Sequence, residues 1–290
     1  MSVTALPLTV TEPGLYAGIP EDTYHADPVP GGSLSQSGMK LLLPPSCPAR
    51  FRWEQDHPAT ASRAMDFGTA AHRKVLGVGQ DIAALDFPDR RTKAYREAVA
   101  EAEQAGRLPL LASEARVIDD MAAQLAAHPI AGRLFADGAG TPEVSAFWRE
   151  PFRNVMLRAR FDWLPSPDRQ LILTDYKTAR TADPDEWVRL NVLNYGYFIQ
   201  EFVYRQITAA LYGADIRDTS FVFVVQEPNP PYLVSVVQLP DEAAAIGRIH
   251  AEVALDIYAE CTASGHWPGY AADGIAHPAL PEWFTRKWLA

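Results

Sequence analysis

The alternation of apolar and polar positions places a strand-rich region in the middle of the chain. Residues 143–150, 155–164 and 170–177 alternate or run apolar over strand length, which predicts three consecutive strands. Two more apolar runs, at 220–225 and 232–237, predict another pair of strands. These five segments supply the elements of one mixed sheet.

Segments with apolar residues at helical spacing lie before, between and after the predicted strands. It predicts helices over residues 64–76, 92–106, 112–128, 195–211 and 241–262. Glycine follows the first of these helices, as is common where a helix ends. Helices on either side of a strand meander are typical of a single α/β domain, with a mixed central sheet flanked by helices.

The two ends of the chain read differently from the middle. Residues 1–60 are rich in Pro, Gly and Ser with little periodicity, and we expect them to form an N-terminal arm that packs on a core of residues 61–290. Large aromatic side chains are seldom left in water, so the aromatic residues of the C-terminal tail are predicted to fold back on the core: Trp267, Trp283, Phe284 and Trp288.

Composition is that of an ordinary globular protein, at 48% hydrophobic and 21% charged residues. No apolar run approaches the roughly 20 residues that a membrane span requires. Met1–Ala5 lacks the basic and apolar regions of a secretory signal, so the chain is expected to be cytoplasmic. Cys47 and Cys261 could form a disulfide, but free thiols in a reducing compartment are favoured. Two cysteines cannot form a four-thiolate metal site.

The net charge of −10 argues against a protein that coats nucleic acid nonspecifically. It does not exclude a nuclease, because a site built from carboxylates is locally acidic and a basic channel can be narrow. DNA contact, if present, must be confined to a small part of the surface.

Candidate chemistry is concentrated on two of the predicted strands. Asp162 lies on one, and Asp175, Tyr176 and Lys177 end the next, with a Pro- and Asp-containing turn between them. Alternation puts Asp175 and Lys177 on one face and Tyr176 on the other, and a hairpin would bring Asp162 near Asp175. Neighbouring carboxylates repel unless a cation lies between them, and oxygen ligands suit Mg²⁺ or Mn²⁺. The lysine could orient or deprotonate water.

A solvent-exposed hairpin with two acids and a lysine is the plain alternative, so other residues must decide. His72 follows the small residues Gly68–Ala71 and is either a ligand or a surface histidine beside a packing seam. Glu143 enters the first meander strand and could be a solvated acid. Gln200 and Tyr204 share a helix face and bind either a substrate phosphate or the neighbouring sheet.

Several other chemistries are not supported. The chain contains no G-x-x-x-x-G-K-[ST] loop and no G-x-G-x-x-G between a strand and a helix, so ATP use has no basis in the sequence. No Ser-His-Asp arrangement is discernible.

The order of the motifs is more specific than any one of them. G-x-x-x-H at 68–72, an acid at 143, D at 162, D-x-K at 175–177 and Q-x-x-x-Y at 200–204 follow one another. This succession resembles the RecB-like branch of the PD-(D/E)XK nuclease superfamily, whose fold it therefore implies.

The resemblance is closer to the RecE-type exonucleases, that is, exonuclease VIII and the phage and prophage proteins like it. Residues 13–20, 66–72 and 175–179 match that family's patterns, and the similarity extends from about Gly14 to Trp288. Two departures exist. Asp175 stands where many relatives carry Glu, which the D/E pattern permits, and the four cysteines of the iron–sulfur members are absent.

The resemblance implies a Mg²⁺-dependent exodeoxyribonuclease, with Mn²⁺ as a substitute. Such enzymes degrade one strand of double-stranded DNA from its end, here expected 5′ to 3′, and leave single-stranded overhangs for recombination. Double-stranded DNA ends, a RecT-type annealing protein and further copies of the chain in a ring are the implied partners. A RecB-like nuclease acting on flaps or single strands, and a non-catalytic DNA-end-binding module, are the alternatives.

The resemblance also implies roles for individual residues. Asp162, Asp175 and the Tyr176 carbonyl would ligate the metal, and His72 would complete or orient its ligand shell. Lys177 would position the water. Gln200 and Tyr204 would hold the substrate backbone, with assistance from Glu143. Independently of the resemblance, four basic residues lie near the motifs in sequence and could equally contact phosphates or be solvated surface charges, namely Lys74, Arg158, Arg160 and Arg180.

Overall fold

The structure, a computed structural model, describes residues 4–5, 9–57, 63–78, 81–271 and 274–289. Side chains are described from residue 9 onward, without those of residues 63–66. The side chain of Asp66, the first residue of the 66–72 segment, therefore lies outside the described side chains. Within the described ranges, no helix is both long and apolar enough to cross a membrane.

The strands lie mainly in the middle of the chain. They are β1 (Thr4–Ala5), β2 (Gly14–Ala17), β3 (Leu34–Ser35), β4 (Ile82–Leu85), β5 (Leu108–Leu111), β6 (Gly140–Arg149), β7 (Met156–Pro165), β8 (Leu171–Thr178), β9 (Thr219–Gln226) and β10 (Val234–Val237).

The helices precede, interrupt and follow these strands. They are α1 (Glu21–His25), α2 (Gln36–Leu42), α3 (Pro48–Asp56), α4 (Arg63–Leu76), α5 (Lys93–Gln104), α6 (Ala112–Ala127), α7 (Ala131–Leu134), α8 (Pro184–Trp187), α9 (Leu193–Tyr195), α10 (Tyr197–Tyr212), α11 (Asp241–Ser264) and α12 (Glu282–Leu289). A π-helical turn joins α8 to α9, and a 3₁₀ turn precedes β9.

Local chemistry accounts for several of these boundaries. The Thr92 side chain accepts a hydrogen bond from the backbone N–H of Tyr95 and so caps α5. The Glu114 carboxylate accepts the N–H of Leu111 at 2.9 Å and satisfies the first turn of α6. Gly213 ends α10 in the left-handed region at φ 67°, where a side chain would be strained.

A mixed sheet in the order β1-β2-β6-β7-β8-β9-β10 forms the centre of the molecule, with β3 paired to β7. Strand β7 runs antiparallel to β8, as the hairpin prediction requires, and β8 runs parallel to β9. The connection from β8 to β9 passes through α10, which covers one face of the sheet. The predicted α/β fold, a mixed central sheet flanked by helices, is confirmed.

The two largest hydrophobic clusters of the described residues lie on opposite faces of this sheet. The larger joins the sheet to α2, α10 and α11, with Phe221 and Phe223 from β9 against Ile199 and Val203 from α10. The smaller joins the sheet to α4 and α6. Strand β8 is therefore covered by helices on both faces, and its polar side chains need partners inside the protein.

The N-terminal segments join the sheet directly. Strand β2 pairs antiparallel with β6, and β3 pairs parallel with β7. The division into an arm of residues 1–60 and a core of 61–290 stays a prediction. The two cysteines are free and buried, Cys47 at the start of α3 and Cys261 near the end of α11.

The prediction for the C-terminal tail is wrong in three of four positions. Trp267 stacks on Phe51 with ring centroids 5.4 Å apart and packs on the larger core, as expected. Trp283, Phe284 and Trp288 belong to α12 and are exposed, at 70%, 42% and 67% of their surface. Their hydrophobicity favours burial, but within the described residues no apolar surface covers them.

Candidate active site

Strands β7 and β8 bring the two predicted aspartates together where their pairing is interrupted. The registered pair between these strands is Trp163 with Thr174, so Asp162 and Asp175 come next in register. The backbone N–H of Tyr176 donates to Asp162 Oδ2 at 2.8 Å. A carboxylate thus takes the place of a strand carbonyl as the partner of this amide.

Strand alternation sends the D-x-K side chains to different faces, as predicted. Asp175 and Lys177 face α10. The Tyr176 side chain faces α6, where its hydroxyl donates to Gln226 Oε1 at 2.8 Å and Gln226 Nε2 donates to the Met121 carbonyl at 2.9 Å. The Tyr176 side chain therefore holds β8 from the opposite face of the sheet, and Asp175 and Lys177 form the site.

Asp175 is the most deeply buried acid of the site, with 2% of its surface exposed. Gln200 Nε2 donates to its Oδ1 at 2.6 Å, and Lys177 Nζ lies 2.6 Å from its Oδ2. Burial, and then the nearby Asp162 carboxylate, raise the pKa of Asp175 to about 6. Asp162 and Asp175 come next to each other in register, so their carboxylates repel and Asp162 adds to this rise.

Lys177 is held as a cation. Burial alone would lower its pKa, but the carboxylates of Asp175 and Asp162 outweigh burial and raise the pKa. The ammonium also lies 5.1 Å from the centroid of the Tyr197 ring. The amine is fixed beside Asp175 by an ion pair and an aromatic face.

Helix α4 brings His72 to the same place, and the turn that precedes His72 packs on the sheet. A Cβ on Gly68 would stand 3.5 Å from Thr178 Oγ1, and Ala70 and Ala71 are fully buried against the sheet. His72 Nε2 lies 2.8 Å from Asp162 Oδ2. Burial would lower the pKa of His72, but Asp162 and then Glu143 outweigh it and raise the pKa.

The other carboxylate at His72 belongs to Glu143, whose Oε1 lies 3.3 Å from His72 Nδ1. Burial would raise the pKa of Asp162, but the neighbouring His72 and Lys177 and the Tyr176 amide lower it. In this arrangement His72 and Lys177 supply the positive charge that balances Asp162 and Asp175.

Gln200 and Tyr204 both reach the site from α10, but they contact protein groups. Gln200 holds Asp175, as given above. The Tyr204 hydroxyl accepts the backbone N–H of Arg160 at 3.4 Å, and its ring packs edge-on against Phe161. The helix-to-sheet hydrogen bond considered from the sequence is therefore present, and a contact of these residues with substrate stays a prediction.

The four basic residues singled out from the sequence have different surroundings. Arg158 is buried, and its Nη1 lies 2.6 Å from Asp27 Oδ2. Lys74 Nζ lies 2.7 Å from Asp119 Oδ1. Arg180 is largely exposed, and Arg160 points at Glu143. The expectation that Arg158 contacts phosphate does not fit its burial, because a DNA backbone cannot reach it there.

Sequence reasoning missed Tyr197 and the pairing of Arg160 with Glu143. Tyr197 precedes Gln200 by three residues, a spacing that puts both on one helix face, so its place beside Lys177 could have been inferred. The ion pair between Arg160 and Glu143 joins the neighbouring strands β7 and β6, and no local sequence pattern indicates it.

The donor atoms fit a hard divalent cation. Two carboxylates and an imidazole lie near one another here, and the buried Asp175 Oδ2 receives no hydrogen bond of normal geometry from the described residues. Among these residues, however, no three His, Cys, Asp or Glu side chains are already grouped to hold a metal ion. The carboxylates are instead neutralised by His72 and Lys177.

Comparison with solved structures supports the class of fold. A crystal structure from Eubacterium rectale, named "Putative exonuclease", superimposes with a TM-score of 0.58 at 12% identity and covers 89% of this chain and 93% of its own. A second structure, of SSO0001, has a TM-score of 0.29 at 14% identity over 68% of this chain and 87% of its own, which is too low to carry an argument. No curated protein matches the chain.

The mixed sheet, the flanking helices and the paired acids beside D-x-K define a PDDEXK-like nuclease fold. The model of one family matches residues 35–276, and its description is "PDDEXK-like domain of unknown function (DUF3799)". The chain belongs to this family. The matched range contains each predicted site residue.

Proposed function

We propose that this chain is a Mg²⁺-dependent exodeoxyribonuclease of the RecE type. It would degrade one strand of double-stranded DNA from its end, 5′ to 3′, and leave single-stranded overhangs for recombination. The observation that carries the proposal is the buried Asp175, placed next to Asp162 with Lys177 Nζ 2.6 Å away. Burying several charged side chains together costs free energy, and groups with strongly shifted pKa values are concentrated at functional sites.

In this proposal Asp162, Asp175 and the Tyr176 carbonyl hold the cation, and His72 completes or orients their arrangement. A divalent cation supplies charge neutralisation at the scissile phosphate and stabilises the leaving oxygen. Mn²⁺ has similar ligand preferences and would substitute for Mg²⁺.

Lys177 orients the attacking water rather than deprotonating it. Its raised pKa keeps the ammonium charged at neutral pH, so it donates hydrogen bonds and is a poor base. The same charge favours an anionic phosphate at the site. Asp175 and Tyr197 limit the directions in which this ammonium can point.

Gln200 and Tyr204 would act from α10. The hydrogen bond from Gln200 Nε2 fixes the Asp175 carboxylate, which in turn keeps Oδ2 toward Lys177. Tyr204 would hold the strand on which Asp162 lies and would border the substrate backbone.

The partners remain part of the proposal. Double-stranded DNA ends, a RecT-type annealing protein and a ring of identical subunits follow from the sequence resemblance. The name of the Eubacterium rectale structure is consistent with an exonuclease, although at 12% identity the likeness shows only the fold.

The test is digestion of end-labelled DNA with Mg²⁺, Mn²⁺ or EDTA. We expect the parent protein to release nucleotides from blunt duplex only in the metal-containing arms. Lys177→Gln should lower the rate by about 10²-fold to 10³-fold, the range for removing one donor that stabilises a developing charge. Lys93→Gln, at a lysine whose side chain is 88% exposed, is the matched control and should keep the parent rate.

Labels at the 5′ and 3′ ends of each strand separate polarity from activity. Products that start from the 3′ end would contradict the proposed direction, and cleavage restricted to flaps or single strands would favour the RecB-like alternative. A Lys177→Gln protein that digests duplex ends at the parent rate would remove Lys177 from the mechanism. DNA-end binding without cleavage by the parent would favour a non-catalytic module.

A further inference from the structure

Glu143 has a backbone conformation that residues with side chains seldom adopt. Its φ is +53°, although its neighbours keep strand register, Pro142 with Trp163 and Val144 with Phe161. Strained positions of this kind persist only where the surroundings hold them, and they are concentrated at functional sites. The contacts of the Glu143 side chain therefore need an explanation.

Arg160 is one of the groups that hold this side chain. Its Nε donates to Glu143 Oε2 at 2.5 Å, and its Nη1 donates to the Ile19 carbonyl at 2.9 Å. The guanidinium also lies 5.5 Å from the centroid of the Tyr24 ring. The Arg160 side chain is only 19% exposed. Two of its nitrogens, Nε and Nη1, are thus directed at protein groups on two sides.

The second contact of Glu143 is His72. Oε1 faces His72 Nδ1 at 3.3 Å, and the opposite ring nitrogen, Nε2, faces Asp162. A histidine that ligates a cation through one nitrogen usually donates its other N–H to a carboxylate, which fixes the tautomer and the ring orientation. Glu143 has the position of that carboxylate.

We propose that Arg160 is a positioning residue: by holding Glu143 it holds the His72 ring, and so sets the affinity of the site for a divalent cation. This inference rests on the proposed function, because it requires a cation site at His72 and Asp162. It replaces the phosphate contact that the sequence suggested for Arg160.

The test measures Mn²⁺ binding to the full chain by isothermal titration calorimetry without DNA. Arg160→Gln should bind Mn²⁺ about 10-fold more weakly, at the lower end of what removal of an outer partner causes. DNA affinity in EDTA should be unchanged. Arg158→Gln is the matched control, since Arg158 lies two positions along the same strand and also near Tyr24 but pairs with Asp27. Its Mn²⁺ affinity should equal that of the parent.

A double-mutant cycle shows whether Arg160 acts through Glu143. Glu143→Gln should weaken Mn²⁺ binding, and adding Arg160→Gln should weaken it no further. Arg160→Lys keeps a cation near Glu143 and should restore part of the affinity, and it serves as the test variant if Arg160→Gln does not fold.

The outcomes separate this inference from the function on which it rests. If the parent binds no Mn²⁺, both are overturned. If the parent binds Mn²⁺ and Arg160→Gln binds it equally well, only the positioning role is overturned. A loss of DNA affinity in EDTA with unchanged Mn²⁺ affinity would mean that Arg160 contacts phosphate, which also overturns the inference. Additive losses in the cycle would show that Arg160 does not act through Glu143.

Discussion

The buried carboxylate of Glu201 is expected to make the stability of the protein depend on pH. It lies on α10 next to Gln200 and is 2% exposed. Arg205 Nη1 donates to its Oε1 at 3.2 Å, whereas its Oε2 receives no hydrogen bond from the described residues. Burial raises the pKa of Glu201 from 4.5 to about 7, with Arg205 opposing the rise and Asp241 adding to it.

The direction of this pH dependence follows from whether the folded or the unfolded state keeps the proton on Glu201. Between pH 4.5 and about 7 the folded protein still holds a proton on Glu201 that the unfolded chain has lost. The free energy of unfolding therefore falls as pH rises through this window and stays lowered above it. At about 1.4 kcal/mol per pKa unit, this difference amounts to about 3 kcal/mol.

Glu201→Gln removes the titration and keeps an acceptor for Arg205. The measurement is urea unfolding followed by tryptophan fluorescence at pH 5 to 8, taking the difference between variant and parent so that other titrating groups cancel. We expect a difference near zero at pH 5 that rises to about 3 kcal/mol in favour of the variant at pH 8. A difference that is constant with pH would refute the reasoning.

The control is Glu252→Gln, because Glu252 also pairs with an arginine four residues away, Arg248, but its side chain is 46% exposed. An exposed carboxylate keeps its hydration, so this variant should show no comparable rise between pH 5 and 8. If it shows the same rise, burial is not the cause.

Three further substitutions test the packing. Gly247→Ala would place a Cβ 2.1 Å from the Phe198 carbonyl oxygen, so we expect α11 to be displaced and the protein to lose at least about 2 kcal/mol of stability; an unchanged melting temperature would contradict this. Tyr176→Phe leaves the buried Gln226 Oε1 without its donor and should cost about 1–3 kcal/mol in urea unfolding, whereas no loss would mean that water replaces the hydroxyl. Trp288→Ser should change stability by less than about 0.5 kcal/mol, and a larger loss would place this exposed residue in a contact.

The parts of the fold that could be predicted are those with strong local periodicity. Strands β6, β7 and β8 and helices α6, α10 and α11 occur within a few residues of their predicted bounds. The small parallel sheet of β4 and β5 was not predicted. Each strand has four residues, the second contains Pro109, and the pairing joins segments more than 20 residues apart.

The same distinction between local and distant information applies to the site. The positions of Asp175 and Lys177 on one face, and their approach to Asp162, follow from strand alternation and a hairpin. The link from Arg160 through Glu143 to His72 depends on a left-handed backbone at Glu143 and on the approach of α4. Neither is encoded in a short run of residues, so the sequence indicated only that Arg160 could contact phosphate or be a solvated surface charge.

The burial of β8 explains how a group of repelling charges can be kept in place. On one face, the Tyr176 hydroxyl is tied through Gln226 to the backbone of α6, and on the other, Gln200 from α10 holds Asp175. Both helices belong to the hydrophobic cores, so turning the strand to separate the carboxylates would disrupt packing on both faces. The repulsion between Asp162 and Asp175 is therefore resisted by the cores and offset by His72 and Lys177. Because packing on both faces holds the backbone of β8, a cation could enter by displacing side-chain contacts while the backbone stays in position.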